Sequence, residues 1–382
     1  MTRETSSASA APTAGPAFPR LATIRDRLPT WPTIVAVATV LLVVFSVTRF
    51  AGPNYTLESN YTDHLQHEYS SWAFLHIGFR IFALPKADWG PVHARHVHLL
   101  WDSVPTIYPP GLVLFFMPFG VASNEGLMSD PHVIMLMVMV LGVAGVLASF
   151  QLRRTLRLSH EPVLAAILTF FGTILFVSWG LNGFIDSLAA GLALLGIHWA
   201  QRRMMGRGLV ALTLALSLQY RLWYLWPFVI ALAVQRRREI RPWQLGCTAL
   251  VGLVSSFTFG LSVQAEGNFH EIPGIGPNAL AVTHGVSIVQ WVALIAGVLV
   301  VGITYLYDRF VAAVCVSLAL VLIFFVDQWE PWYPVLLVPL LPIVRKRPAQ
   351  VAVTLAFVEA IVYLGGFPNL LHSVQLYIDA VK

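Results

Sequence analysis

Residues 131–157 read Pro131-His-Val-Ile-Met-Leu-Met-Val-Met-Val-Leu-Gly-Val-Ala-Gly-Val-Leu-Ala-Ser-Phe150-Gln-Leu-Arg153-Arg154-Thr-Leu-Arg157. From 131 to 150 there is no acid, lysine or arginine, and then three arginines close the run. At ~1.5 Å per residue a helix of this length reaches across the ~30 Å apolar core of a bilayer. A basic knot at the end of such a run marks the end kept on the cytoplasmic side. The same alternation fills the chain. Arg20/Arg25/Arg27, Arg202/Arg203/Arg207, Arg236/Arg237/Arg238/Arg241, Arg309 and Arg345/Lys346/Arg347 punctuate further apolar runs. Of 382 residues 57% are hydrophobic and 11% charged, against roughly 25% charged in a soluble domain. That balance excludes a disordered chain, a water-soluble enzyme and a nucleic-acid-binding domain. The net charge of +5 is a topology signal rather than a footprint for nucleic acid.

The fold expected is all-α, a polytopic transmembrane bundle of about 10–11 membrane segments, some short or broken, by the span-length rule. Residues 1–30 read as a disordered cytoplasmic tail and 31–382 as one membrane domain. The candidate spans are 31–50, 131–150, 162–181, 184–200, 208–220 with 221–235, 242–261, 286–305, 310–326, 333–344 and 348–366. Parity shapes two of them. Residues 202–207 and 236–241 are both assigned inside, so the stretch between them crosses an even number of times. It is too short for two full spans and is expected to break at Gln219-Tyr220-Arg221, in the manner of broken helices that line polar cavities. Residues 109–123, with Pro109, Pro110 and Pro118, are expected to dip into the outer leaflet and return. Cys247 and Cys315 lie inside apolar runs and predict neither a disulfide nor a cysteine metal site. No internal repeat of the kind that builds many transporters is evident.

The longest polar stretch, 51–108, lies outside in this reading and holds six of the twelve histidines. Loops this long are functional or disordered. Trp72, Leu75, Phe79 and Phe82 fall at helical spacing, which predicts an interfacial helix over 68–84. Just before it stands Asn60-Tyr-Thr-Asp63-His64-Leu-Gln-His67-Glu68. Asp63 is placed to face a cavity at the membrane surface, or to act as a plain helix cap or solvated acid. His64 and His67, with His96 and His98, have loose zinc-ligand spacing; polar contacts at the interface are the competing reading. Only six of the 24 basic residues fall outside the cytoplasmic set: Arg49, Arg80, Lys86, Arg95, Arg221 and Lys382. Arg221, at the break of the short helix pair, is a charge at membrane depth and a functional candidate for that reason.

Three patches in this order resemble the GT-C superfamily of integral-membrane glycosyltransferases, and most of all the bacterial mannosyltransferases that use polyprenyl-phosphate mannose. They are Asp63, then Ile107-Tyr108-Pro109-Pro110-Gly111, then Gln328-Trp329-Glu330-Pro331-Trp332-Tyr333-Pro334. Asn182-Gly183-Phe184-Ile185-Asp186 looks like a further Gly/acid element of that family. The first loop has no Asp-X-Asp or Glu-X-Asp pair, which favours a single-acid mechanism without a divalent metal or other cofactor.

The resemblance implies a bacterial plasma-membrane enzyme with its N-terminus in the cytoplasm and its active site facing outside. It implies a polyprenyl-phosphate sugar donor, a glycan or glycolipid acceptor, membrane lipids as surroundings and no nucleic acid. The sugar is mannose by likeness, with arabinofuranose the rival, and inversion follows from one base and direct displacement. Asp63 would be the base, with His64 beside it. Arg221, Arg80 and His284, the last after the Pro/Gly loop 273–277, would meet donor phosphate. Tyr108, Trp329, Glu330, Trp332 and Tyr333 would bind sugar or acceptor, although Trp329 and Trp332 also fit an interface belt. A transporter or flippase of a lipid-linked sugar is the alternative.

Overall fold

A computed structural model describes residues 62–90, 105–181, 183–266 and 334–343. These residues are helical with no strand among them. In chain order the helices are α1 (Thr62–Ile77), α2 (Pro110–Asn124), α3 (Asp130–Leu156), α4 (Pro162–Leu181), α5 (Asp186–Gln201), α6 (Met205–Leu218), α7 (Trp226–Gln235), α8 (Pro242–Glu266) and the short α9 (Pro334–Leu337). Tight 3-10 turns occupy Gly78–Phe82, Lys86–Asp88, Tyr220–Leu225, Arg237–Glu239 and Val338–Ile343. The tail 1–30 and the expected spans 31–50, 286–305, 310–326 and 348–366 lie outside the described residues.

Among the described residues three helices are long and apolar enough to cross a membrane: Asp130–Leu156, Pro162–Leu181 and Pro242–Ser262. Several helices open on proline, at Pro110, Pro162, Pro242 and one residue in at Pro131 and Pro227. Proline suits that place because the first turn's N–H groups have no intrahelical partner and its φ is already helical. Arginine does not follow the prolines: α3 carries Arg153 and Arg154 in its last turn, whereas α4 and α8 start after an arginine and end without a basic residue. The α3–α4 turn with Arg153, Arg154 and Arg157, the α5–α6 turn with Arg202, Arg203 and Arg207, and the start of α8 all lie at one end of the bundle. Gln244 of α8 touches Gly206 of α6 there. This is the arrangement that a positive-inside reading needs.

Small residues let the helices approach. α3 meets α4 where Gly145 faces the Phe176 carbonyl and Gly180 faces Leu141 and Gly142. α5 and α6 form an antiparallel hairpin through Gly196 and Gly208; a side chain at Gly196 would stand 2.9 Å from the Gly208 carbonyl oxygen and 2.7 Å from Leu212. Close backbone contact of this kind is a main source of attraction between helices in lipid. Gly196→Leu is therefore expected to lower stability by about 1–3 kcal/mol through overpacking, read as a lower melting temperature in detergent. A wild-type melt would show that the hairpin yields freely.

The break expected in 208–235 is present. α6 stops at Leu218, Gln219 is extended (φ −144, ψ 112), and a 3-10 turn leads into α7. Two expectations change. The 109–123 segment does not turn back on itself: it is one continuous helix, α2, which carries Pro118 inside it. The helix expected over 68–84 begins earlier, at Thr62, and ends at Ile77, where Gly78 turns the chain at φ +58. The apolar stripe is thereby split. Trp72 and Phe82 are buried with Tyr69, Ile81, Trp89 and Val113, whereas Leu75 and Phe79 stay exposed. The described part of the late span 333–344 is a single turn of α-helix followed by 3-10 helix. Pro339 and Pro342 explain this, since each removes a backbone donor and clashes with the preceding turn. The segment is buried all the same, through Val335, Leu336, Val338 and Leu341.

Candidate functional site

The site starts in the first turn of α1. Residues three and four apart on a helix share a face, so Asp63 lines up with His67, and His64 with His67 and Glu68. His64 is buried, and its ring lies against Gly183 in the α4–α5 turn; a Cβ there would sit 2.8 Å from His64 Cε1 and Nε2. Gly183 has φ +79 and closes α4, with the Gly183 N–H donating to the Gly180 carbonyl and the Phe184 N–H to that of Trp179. This is a C-terminal cap that favours glycine for its backbone alone, and the histidine contact makes a second demand. Phe184 meets the His64 ring edge-on at 6.3 Å.

His67 extends the site to the Tyr-Pro-Pro segment. Its ring meets Tyr108 edge-on at 4.5 Å and stacks on Phe116 at 5.1 Å. Tyr108 in turn packs against Ile107 and Tyr220. Arg221 follows, 4% exposed, with its guanidinium 5.4 Å from the Tyr220 ring centre. On its other side Gln219 Nε2 donates to Asp186 Oδ1 at 2.6 Å, and the Arg221 N–H donates to Gln219 Oε1 at 3.4 Å. Arg221 is close enough for its charge to act on Asp186, which opens α5. These contacts, joined by the chain from 183 to 186 and by α1 itself, close a ring running from His64 through Gly183, Asp186, Gln219, Arg221, Tyr220 and Tyr108 to His67. It stands at the end of the bundle away from the arginine knots.

The structure thus brings His64, Tyr108 and Arg221 together, and adds Gly183, Asp186 and Gln219; of Asp63 it gives the place in the chain, one residue before His64 in the first turn of α1. Arg80 is not brought in. It is exposed on the 3-10 turn beyond α1, a helix ~24 Å long. Lys86 lies nearer. Lys86 is fully buried in the Lys86–Asp88 turn, and its charge reaches His67. The turn is pinned by Trp89, which stacks on Tyr69 at 5.7 Å and donates to the Leu84 carbonyl. Pro85 before it and Trp89 after it were the sequence signal for a packed turn. His284, Trp329, Glu330, Trp332 and Tyr333 lie outside the described residues. Among the described residues no three His, Cys, Asp or Glu side chains form a metal-binding group, and His96 and His98 lie outside them.

Two titrations on α1, which is not one of the long apolar helices, have opposite signs. His67 keeps part of its surface open, yet protein surrounds it; burial first, then the charges of His64 and Lys86, push its pKa down from 6.5 to about 3. Glu68 is 1% exposed, and both its oxygens are enclosed without a hydrogen bond of good geometry. The nearby Ser123 hydroxyl, which eases the shift slightly, donates to Asp130 instead. Burial, then the Asp130 charge, raises Glu68 from 4.5 to about 9. The unfolded chain binds the extra proton in the histidine case and the folded chain in the glutamate case, so the slopes differ in sign. His67 contributes stability that is present above pH 6.5 and lost as pH falls toward 3. Glu68 contributes stability that is present below pH 4.5 and lost as pH rises toward 9. Between 4.5 and 6.5 the two offset each other. The expected melting temperature is flat there and falls on both sides. Glu68→Gln should flatten the alkaline limb; an unchanged limb would place its origin elsewhere.

Compared with known proteins, the chain matches no family model and no curated protein.

Proposed function

We propose that the protein is a membrane glycosyltransferase that moves a sugar from a polyprenyl-phosphate donor to a glycan or glycolipid acceptor on the outer face of the bacterial plasma membrane. What supports the reading above all is the ring just described. His64 and His67 of the first-loop segment, the Tyr-Pro-Pro segment, the Gly/acid turn and the out-of-place arginine are far apart in the sequence and converge at one end of the bundle.

The chemistry assigned to them is a direct displacement. Asp63 takes the proton from the acceptor hydroxyl as that oxygen bonds to the anomeric carbon. The bond from that carbon to the phosphate oxygen breaks, and polyprenyl phosphate leaves with the electron pair. Arg221 and the buried Lys86 offer positive charge to the departing phosphate, where a partly dry setting strengthens their effect. Attack opposite the leaving group inverts the anomeric centre. His64 stands next to Asp63 and tunes its surroundings, and Tyr108 offers a ring face to the sugar.

The deciding experiment gives purified protein a labelled polyprenyl-phosphate mannose or arabinofuranose and a glycolipid acceptor in detergent. A new glycosidic bond of inverted configuration is the expected product. Movement of labelled lipid across proteoliposomes with no new bond would favour the flippase reading instead.

A further inference from the structure

At the arginine-rich end a pocket of about 470 Å³ opens between the α3–α4 turn and the end of α5, lined by Leu158, Ser159, Gln201 and Arg202. The ring lies far from it: α3 from Val138, beside Gly183, to Leu156 is ~27 Å long. Four observations suggest what the pocket takes. Arg202 lines the pocket and is exposed; Arg154, also exposed, lies over the Phe150 ring at 4.4 Å, and the charges of both arginines reach His198. The Gln201 amide is anchored through Nε2 to the Pro342 carbonyl at 3.4 Å, while its enclosed Oε1 accepts nothing. Arg203, next in the chain, holds a left-handed backbone (φ 61) at a helix end where glycine is usual. Last, Val163, Ile167 and Phe170 form an exposed apolar stripe along α4, starting at the pocket's edge. Glu161 is the acid of the same turn and is exposed.

We infer that this pocket binds the headgroup of an anionic phospholipid that carries free hydroxyls. The two arginines face the phosphodiester, the Gln201 amide turns on its long bond to Pro342 so that Oε1 accepts from a headgroup hydroxyl, and the acyl chains lie along the α4 stripe. Positive charge near a membrane surface attracts anionic lipid in general. What is specific here is the pocket, the unfilled amide oxygen and the adjoining stripe.

The test uses the full chain in detergent and measures lipid retained by native mass spectrometry, with phosphatidylglycerol, phosphatidic acid and phosphatidylcholine offered in equal amounts. Phosphatidylglycerol is expected to be held over phosphatidylcholine. Arg202→Ala should weaken that preference by about fivefold, and Arg154→Ala should add to the loss. Gln201→Ala should lower retention of phosphatidylglycerol but not of phosphatidic acid. Arg237→Ala removes an exposed charge from a turn away from the pocket and should change neither. A second arm offers soluble glycerol phosphate: binding with the same arginine dependence would support the site with a free phosphate as its source. Equal retention of the charged and zwitterionic lipids with no glycerol phosphate binding would overturn the inference. So would a wild-type preference in Arg202→Ala, whose exposed position leaves the fold intact.

Discussion

Replacing Asp63 by asparagine is expected to lower sugar transfer by about 10²–10⁴-fold, the usual worth of a positioned base, while thermal unfolding stays close to wild type. Asparagine keeps the size and the hydrogen-bonding reach of the acid but cannot take a proton. The fold should tolerate it because α1 is anchored elsewhere, through His64 on Gly183 and through Tyr69 and Trp72 in their cluster. The lost negative charge in the first turn of a helix costs only about 0.3–1 kcal/mol. The other acids at this end make poor substitutes. Glu68 is pushed up to about 9 and is protonated at neutral pH, and Asp186 is held by Gln219 at 2.6 Å. The measurement is transfer rate with a matched melting curve. Full activity in Asp63→Asn would remove the base from this position, and with it the main chemical support for the transferase reading.

What the sequence discloses about this site depends on whether the information is local. The break at Gln219-Tyr220-Arg221 was legible because two basic knots fix both ends on one side and leave too few residues for two spans. The structure has that break, with Gln219 extended. Gly183 was legible as part of a Gly/acid element, a local pattern. Its contact with His64 was not, since that depends on how α1 docks on the α4–α5 turn. The same limit hid the difference between Arg80 and Lys86. A count of charges by side of the membrane treats the two alike, and only the turn pinned by Trp89 buries one and leaves the other exposed. The stripe of Trp72, Leu75, Phe79 and Phe82 misled for a related reason. Periodicity assumes one unbroken helix, and a glycine at φ +58 ends it before the stripe is complete.

The second large effect is expected at Asp186. Asp186→Ala removes the acceptor for Gln219 Nε2 and a carboxylate that feels the Arg221 charge, and all three residues are at most 5% exposed. Removing one partner from a buried charged arrangement typically costs about 3–5 kcal/mol, because the other charge is left uncompensated. Asp186→Asn keeps an oxygen for Gln219 and should cost less, which separates the hydrogen bond from the charge. The informative variant is the double one. If Arg221 is the source of the penalty, Asp186→Ala with Arg221→Met should melt higher than Asp186→Ala alone, since well-packed apolar groups often replace buried ion pairs at little cost. The same double variant should bind polyprenyl phosphate no better than Arg221→Met does. Stability would then be recovered without recovery of donor binding, which a purely structural role for Arg221 would not produce. A wild-type melt for Asp186→Ala would mean that the Arg221 charge is balanced by another group, and that the ring does not depend on this acid.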